Sequence, residues 1–449
     1  MDDNVLPSKL FNRLSSAAKI VRDHNFIQVF SHHDADGISA AGIIAKTLAR
    51  ANKEYTVTLF TTMNDEYFDV IKECKANCIL MTDLGASYIK QLEGLNKDVI
   101  VLDHHNSPDD SEKICYANPH LVDIDGMTSG CGATMAFLFS LVMNDYNWDL
   151  VQIAFAGIAG DRQHINGLSG LNTYLLDEGV KKGFVTVTEG SLVPPGPMSK
   201  TLYLTTDPYI RGITGNQEGV SQILKDAGIT LNKSFTDLTE DEKRRLSTLM
   251  AIKLTKQGVI LQTMKEVART RYFLKDWNMD SESFADILNA CGRSGVGGIG
   301  ISVCLGSNDD LVKAVELNNE AKNKIVTSII DLDNRGLIQM EHLQYFDSTS
   351  SGFTGILCGI AMQFIGDPDK PTIGINSSDD KAKASSRGMW QQLDKGIDLS
   401  SAMRLAADSV GGAGGGHKIA SGASFEAGNE KTFLTNLDTI LGEQLSSAK

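Results

Sequence analysis

Four short apolar runs rich in β-branched residues lie at 26–31, 56–61, 78–82 and 99–102, and segments of helical periodicity at 38–51, 64–75 and 86–95 separate them. That alternation is the mark of βαβ units and predicts an α/β fold built on a parallel sheet. A helix is expected at 7–24, where Leu10, Leu14, Ala17, Ala18 and Val21 share one face, and helical patterns at 130–144 and 148–159 continue the same layer. Ligands of open parallel sheets gather at the carboxyl ends of the strands.

Those ends carry an unusual density of ligand-type side chains. His32-x-Asp34-x-Asp36-Gly37 follows the first run, Thr82-Asp83-Leu84-Gly85 the third, Asp103-His104-His105 the fourth, and Asp161 closes the helix after 148. Four of the nine histidines sit in the two pairs 32–33 and 104–105. Alternate residues of an extended segment face the same way, so His32, Asp34 and Asp36 converge. Carboxylate oxygens with imidazole nitrogens suit Mn²⁺ first, then Mg²⁺, and Zn²⁺ less well. There are enough such groups for two metal ions sharing one aspartate, an arrangement suited to phosphate-ester hydrolysis. Taken singly, Asp-Gly after a strand is a turn and a histidine pair is a surface feature. Four such elements in order argue for a site.

At 449 residues the chain predicts two or three domains. The net charge of −14 argues against a protein that coats nucleic acid with a broad basic face, but not against a nuclease whose carboxylates hold metal. No apolar run is long enough to span a bilayer, so no membrane association is expected. The opening MDDNVLPSKL does not read as a secretory signal. The seven scattered cysteines, of which Cys74 and Cys78 are nearest in sequence, predict reduced thiols in a cytoplasmic protein.

Residues 165–215, rich in Gly, Thr, Ser and Pro, read as loops and short elements, and 217–291 as helical, with Thr239 and Glu242 forming a capping box. A helix from about Asp309 to Arg335, stopped by Gly336, would be roughly 40 Å long. Strands are expected in GILCGIAMQFI and PTIGIN of a smaller C-terminal α/β domain that ends in GGAGGGHKIASGASF. There Gly414, Gly415 and Gly416 would let backbone amides approach a phosphate, while His417 and Lys418 add donors and charge. Ser386 and Arg387 form a candidate fork for a phosphate or base edge, and Arg293 a candidate contact to a nucleic-acid backbone. His120, His164 and His342 are expected to be structural, and His33 is open between ligand, support and surface.

The ordered series resembles the DHH phosphoesterase superfamily, whose signature triplet stands here as Asp103-His104-His105. GGAGGGHKIASGA resembles the glycine-rich signature of the accessory substrate-binding domain that follows in these enzymes. ILNACGR at 287–293 and the His32-x-Asp34-x-Asp36 pattern are similar to the archaeal RecJ-like branch, which includes GINS-associated nucleases. The resemblance implies a DHH catalytic domain (1–216), a mainly helical insertion (217–300), a connecting helix (301–345) and a DHHA1-type substrate-binding domain (346–449). It implies two divalent ions, with His32, Asp34 and Asp83 at one and Asp36, Asp83, His104 and Asp161 at the other. His105 would face substrate phosphate or support the shell, and Asp103 would orient the histidines. The implied activity is single-strand-specific exonuclease action on DNA or RNA, in replication or repair with a GINS-type partner. A phosphodiesterase of nano-RNA or cyclic dinucleotides is the alternative, and a replisome scaffold with residual catalysis a further one.

Overall fold

The computed structural model describes residues 6–107, 109–349, 352–378 and 380–447; the first five residues of the polar opening lie outside these. The chain forms two compact units, one from residues up to 190 with 269–320, the other from 191–268 with the chain from 321 onward. The boundaries expected at 216, 300 and 345 fall inside these units.

The first unit opens with α1 (Ser8–Asp23), β1 (Phe26–His32), α2 (Ala35–Arg50), β2 (Glu54–Phe60), α3 (Asp65–Glu73), β3 (Cys78–Thr82), the short α4 (Ile89–Leu92), β4 (Asp98–Leu102) and β5 (Cys115–Ala117). The strands form one parallel sheet in the order β2-β1-β3-β4-β5. Every residue of β3 is buried, as a sheet covered on both faces requires. The register sets Ser31 beside Thr82 and Thr82 beside Leu102. His32, Asp83 and Asp103, each the next residue, therefore emerge side by side at one rim.

Behind the rim lie α5 (Gly132–Met143) and α6 (Val151–Gly160), both packed on α2. Small residues permit the close fit: a Cβ on Gly157 would stand 2.4 Å from the Ala133 Cβ. α7 (Gly170–Lys181) and β6 (Val185–Thr188) follow where loops and short elements were expected. The glycines, Asn and Thr of this stretch are poor helix formers, but Leu171, Leu175 and Gly179 recur every four residues and are buried, so packing overrides propensity.

In the second unit α8 (Met198–Leu204), α9 (Gln217–Asp226), α10 (Glu240–Gln257) and α11 (Leu261–Val267) enclose an apolar core that includes Leu202, Leu224, Leu246 and Met250. The capping box of α10 is formed: Glu242 N–H donates to Thr239 Oγ1 at 3.2 Å and Thr239 N–H to Glu242 Oε2 at 2.8 Å. The chain then returns to the first unit. There β7 (Arg271–Leu274) and β8 (Met279–Asp280) join β6 in an antiparallel sheet, within a stretch expected to be helical, before α12 (Ser281–Arg293) and α13 (Gly297–Leu305). α14 (Asn308–Arg335) is the expected long helix, and Gly336 stops it at φ +77°.

The rest of the second unit comprises β9 (Ile338–Gln339), β10 (Gln344–Asp347), α15 (Thr354–Phe364), β11 (Thr372–Ser377), β12 (Lys381–Arg387), α16 (Trp390–Asp394), α17 (Leu399–Asp408), β13 (Ala413–His417), β14 (Ala420–Glu426) and α18 (Glu430–Ser447). Its mixed sheet runs β13-β14-β12-β11-β10-β9. The GILCGIAMQFI segment, expected as a strand, is helix α15; an apolar run of this length satisfies either period, and Leu357, Ala361 and Phe364 give it a helical buried face. Among the described residues no helix is long and apolar enough to cross a membrane.

Candidate metal centre

The rim brings six of the expected groups together, in two clusters joined by Asp83. His32 Nδ1 lies 2.9 Å from Asp34 Oδ2 and 3.7 Å from Asp83 Oδ2. His104 Nε2 lies 3.2 Å from Asp83 Oδ1, 3.3 Å from Asp161 Oδ2 and 3.7 Å from Asp36 Oδ2. The two carboxylate oxygens of Asp83 thus face different histidines. Asp34 caps α2 by accepting from Gly37 N–H at 3.0 Å. Asp36, in the first turn of that helix, accepts from the Gly132 and Ala133 amides at the start of α5, at 2.6 and 2.8 Å. A Cβ at Gly132 would fall 2.5 Å from the Asp83 Cβ, so no larger residue fits where Asp36 and Asp83 meet.

Asp103 lies beside Asp83, His104 and His105, but its oxygens are taken up by hydrogen bonds. It is buried and accepts from the Ala86, His104 and His105 amides at 2.8, 2.7 and 3.2 Å, and from His105 Nδ1 at 2.8 Å. It therefore orients His105, whose side chain is 44% exposed.

The charge balance asks for a cation. Burial pushes the Asp83 carboxyl well up, with Asp36 and Asp34 adding to it. Burial and Asp36 raise Asp161 to about 7. Burial acts to raise Asp34 as well, but the His32 charge and hydrogen bond and the Gly37 amide overcome it and hold that carboxyl low. Burial works against protonation of His104, yet Asp161 and Asp36 raise it. Burial likewise opposes protonation of His105, but Asp103 overcomes it and raises that imidazole to about 9. Both inner histidines donate one ring N–H to a carbonyl, His32 Nε2 to Thr61 at 3.2 Å and His104 Nδ1 to Gly126 at 2.7 Å. Once neutral, each presents a lone pair toward the carboxylates. Lone pairs and anions facing one another fit a divalent cation.

The remaining predicted residues are placed as follows. His33 Nδ1 is buried with no hydrogen-bond partner among the described residues, and burial, His32 and Arg293 push its pKa down. Arg293 is exposed at the end of α12. In the second unit Arg387, Ala420 and His417 lie in one row across β12, β14 and β13. His417 and Lys418 are exposed, and a Cβ on Gly415 would meet nothing within 4 Å. One expectation there needs correction. Ser386 is fully buried and donates its hydroxyl to the Ser421 carbonyl at 3.0 Å, so it forms no fork with Arg387. Gly414 is required by packing, because its Cβ would stand 2.6 Å from the Met403 carbonyl of α17.

The sequence reading missed the supports. Asn289 Oδ1 accepts from Ala35 N–H at 3.0 Å, and Gly292 packs so tightly on His33 that a Cβ there would lie 1.7 Å from the His33 carbonyl. Both belong to ILNACGR, a motif that stood out in the sequence without a role for these two residues.

The sequence matches the DHH family, N-terminal domain, over residues 26–158 and the DHHA1 domain over 344–443. An uncharacterised protein of Methanocaldococcus jannaschii is 30% identical over 436 residues, which cover 95% of this chain and 96% of that protein. The chain belongs to the DHH phosphoesterase family. A putative single-strand DNA-specific exonuclease from the SPbeta prophage of Bacillus subtilis is 27% identical over 195 residues, 39% of this chain and 32% of its own. RecJ from Thermus thermophilus, in complex with Mn²⁺, has the same fold, with a TM-score of 0.61 over 98% of this chain and 55% of RecJ, at 16% identity. This DHH phosphoesterase thus has the RecJ fold, and its buried Asp/His cluster brings together side chains that could hold a divalent metal.

Proposed function

We propose that this DHH phosphoesterase is a single-strand-specific exonuclease that hydrolyses phosphodiester bonds with two divalent ions, Mn²⁺ ahead of Mg²⁺. The observation that carries the reading is Asp83, whose oxygens face two separate clusters, His32–Asp34 and Asp36–His104–Asp161. Metal ions held there would supply the nucleophile at neutral pH and stabilise charge on the phosphate oxygens. The chain's own residues do the rest. Asp36, gripped by two amides, fixes one cluster, and Asp34, capped on Gly37, fixes the other. His105, oriented by Asp103 and exposed, is placed to donate to a substrate phosphate. Arg293 in the first unit, and Arg387, His417, Lys418 and the Gly415–Gly416 backbone in the second, are candidate phosphate contacts.

Single-strand preference is supported by the prophage exonuclease. A GINS-type replication partner is supported by the archaeal RecJ-like pattern of the sequence. Digestion of 5′- and 3′-labelled DNA and RNA oligonucleotides, single and duplex, with Mn²⁺ or Mg²⁺, tests the reading. Progressive trimming of long single strands is expected. Cleavage confined to dinucleotides would replace it with the short-substrate alternative.

A further inference from the structure

The ring of His104 is held by a carbonyl that is itself held. Gly126 O accepts from His104 Nδ1 at 2.7 Å and from Gln163 Nε2 at 2.9 Å. Gln163 Oε1 accepts from Asn172 Nδ2 at 2.7 Å, and Asn172 Oδ1 accepts from the Thr134 hydroxyl at 2.7 Å. Gln163, Asn172 and Thr134 are all buried. Thr134 stands in the first turn of α5, beside the Gly132 and Ala133 amides that grip Asp36. A buried run of hydrogen bonds therefore leads from His104 to α5, whose Gly132 and Ala133 amides hold Asp36.

The direction of this run is set by its chemistry. The Gly126 carbonyl needs a donor, so the Gln163 N–H faces it, the Gln163 oxygen then faces the Asn172 N–H, and the Asn172 oxygen faces the Thr134 hydroxyl. A carbonyl only accepts, so His104 carries its proton on Nδ1 and keeps the Nε2 lone pair among Asp36, Asp83 and Asp161. Gly126 also packs closely on the same residue: a Cβ there would fall 2.1 Å from the His104 carbonyl. A neutral amide network of this length, spent on a single backbone carbonyl, is costly to bury unless every partner is in place.

We propose that Gln163, braced by Asn172 and Thr134, is a positioning residue for metal binding. It fixes the Gly126 carbonyl, selects the Nδ1–H tautomer of His104 and so aims Nε2 at the metal. The inference rests on the reading of His104 as a metal ligand. Loss of such an outer partner weakens metal affinity by about 10–100-fold in other sites.

The test is titration of the full-length protein with Mn²⁺, followed by the electron paramagnetic resonance of free Mn²⁺, beside thermal melting in EDTA. Gln163→Met keeps the volume without the donor; Gln163→Glu still accepts from Asn172 but sets an oxygen against the Gly126 carbonyl. Both should weaken one Mn²⁺ site by about 10–100-fold at a temperature where the protein is folded. A role in packing alone would lower the melting temperature and leave Mn²⁺ affinity within about twofold of wild type, and that result in either folded variant overturns the proposal. Should neither fold, Asn172→Asp decides, because it reverses the polarity of the run from one bond further away: weakened Mn²⁺ binding supports the proposal and unchanged binding overturns it. His104→Ala is the reference. If it binds Mn²⁺ as wild type does, the ligand reading falls and the inference with it; if it loses a site that the other variants keep, the inference alone falls.

Discussion

Asp83→Asn should abolish hydrolysis and yet stabilise the metal-free protein at neutral pH. Asp83 is 3% exposed, and among the described residues no amide or hydroxyl donates to its carboxylate, whereas Asp36 receives two amides. Burial and the neighbouring Asp36 and Asp34 push its pKa well up. The folded protein therefore keeps a proton that the unfolded chain releases near pH 3.9, and stability falls as pH rises above that value. The loss cannot exceed about 1.4 kcal/mol per pH unit, because the group takes up a proton instead, so the ceiling at pH 7 is about 4 kcal/mol. Asparagine keeps the shape without the charge but sets an amide in place of the carboxyl 3.2 Å from His104 Nε2, and that exchange offsets part of the gain. A net stabilisation of about 1–3 kcal/mol at pH 7, shrinking to nothing near pH 4, follows. For units of this size that is about 2–4 °C in melting temperature per kcal/mol. Melting in EDTA across pH 4–8 measures it, and added Mn²⁺ should raise the wild type far more than the variant. An Asp83→Asn protein that melts below wild type at pH 7 in EDTA, or a gap that widens toward acid, refutes the reasoning.

His417→Ala should lower kcat/KM while leaving Mn²⁺ stoichiometry unchanged, because His417 lies in the second unit and the metal cluster in the first; loss of bound Mn²⁺ would contradict that assignment. Gly292→Ala should cost more than about 2 kcal/mol and most of the activity, since its Cβ would lie 1.7 Å from the His33 carbonyl; melting and turnover check it. Metal-free Asp161→Asn should flatten the decline in stability as pH rises from about 4 toward 7, since burial and Asp36 raise that carboxyl to about 7; pH-dependent melting reads it. Arg244→Glu should weaken capture of GINS subunits and spare exonuclease activity. Arg244 pairs with Asp241 on the α10 surface, whereas Arg245 also donates to the Ala227 carbonyl and is a poorer probe.

The sheet was legible because its strands are runs such as Val99-Ile100-Val101-Leu102, whose β-branched character a buried parallel strand needs. The site was legible because charged ligand groups at strand ends have few other reasons to be there. What stayed hidden was carried by neutral groups and distant contacts. The hydrogen bond from Ala35 to Asn289 spans 254 residues, and an asparagine inside a helix gives no sign of its partner. Ser386 alternates with Ser385 on β12, and only the register with Ser421 shows which of the two points inward. Helix α15 was misread because apolar periodicity alone does not separate a short buried helix from a strand.

The unit that carries the metal cluster is assembled from two stretches of chain, and this orders events on the ribosome. Strands β1–β5 are complete by residue 117, but Asn289 and Gly292, which back the turn bearing His32, Asp34 and Asp36, are made much later. At about 5–20 residues per second the delay is on the order of ten seconds. During that time the nascent sheet displays all its acidic and histidine groups without the brace that sets the first three. A fragment ending before Asn289 would keep the whole signature and lack the finished site.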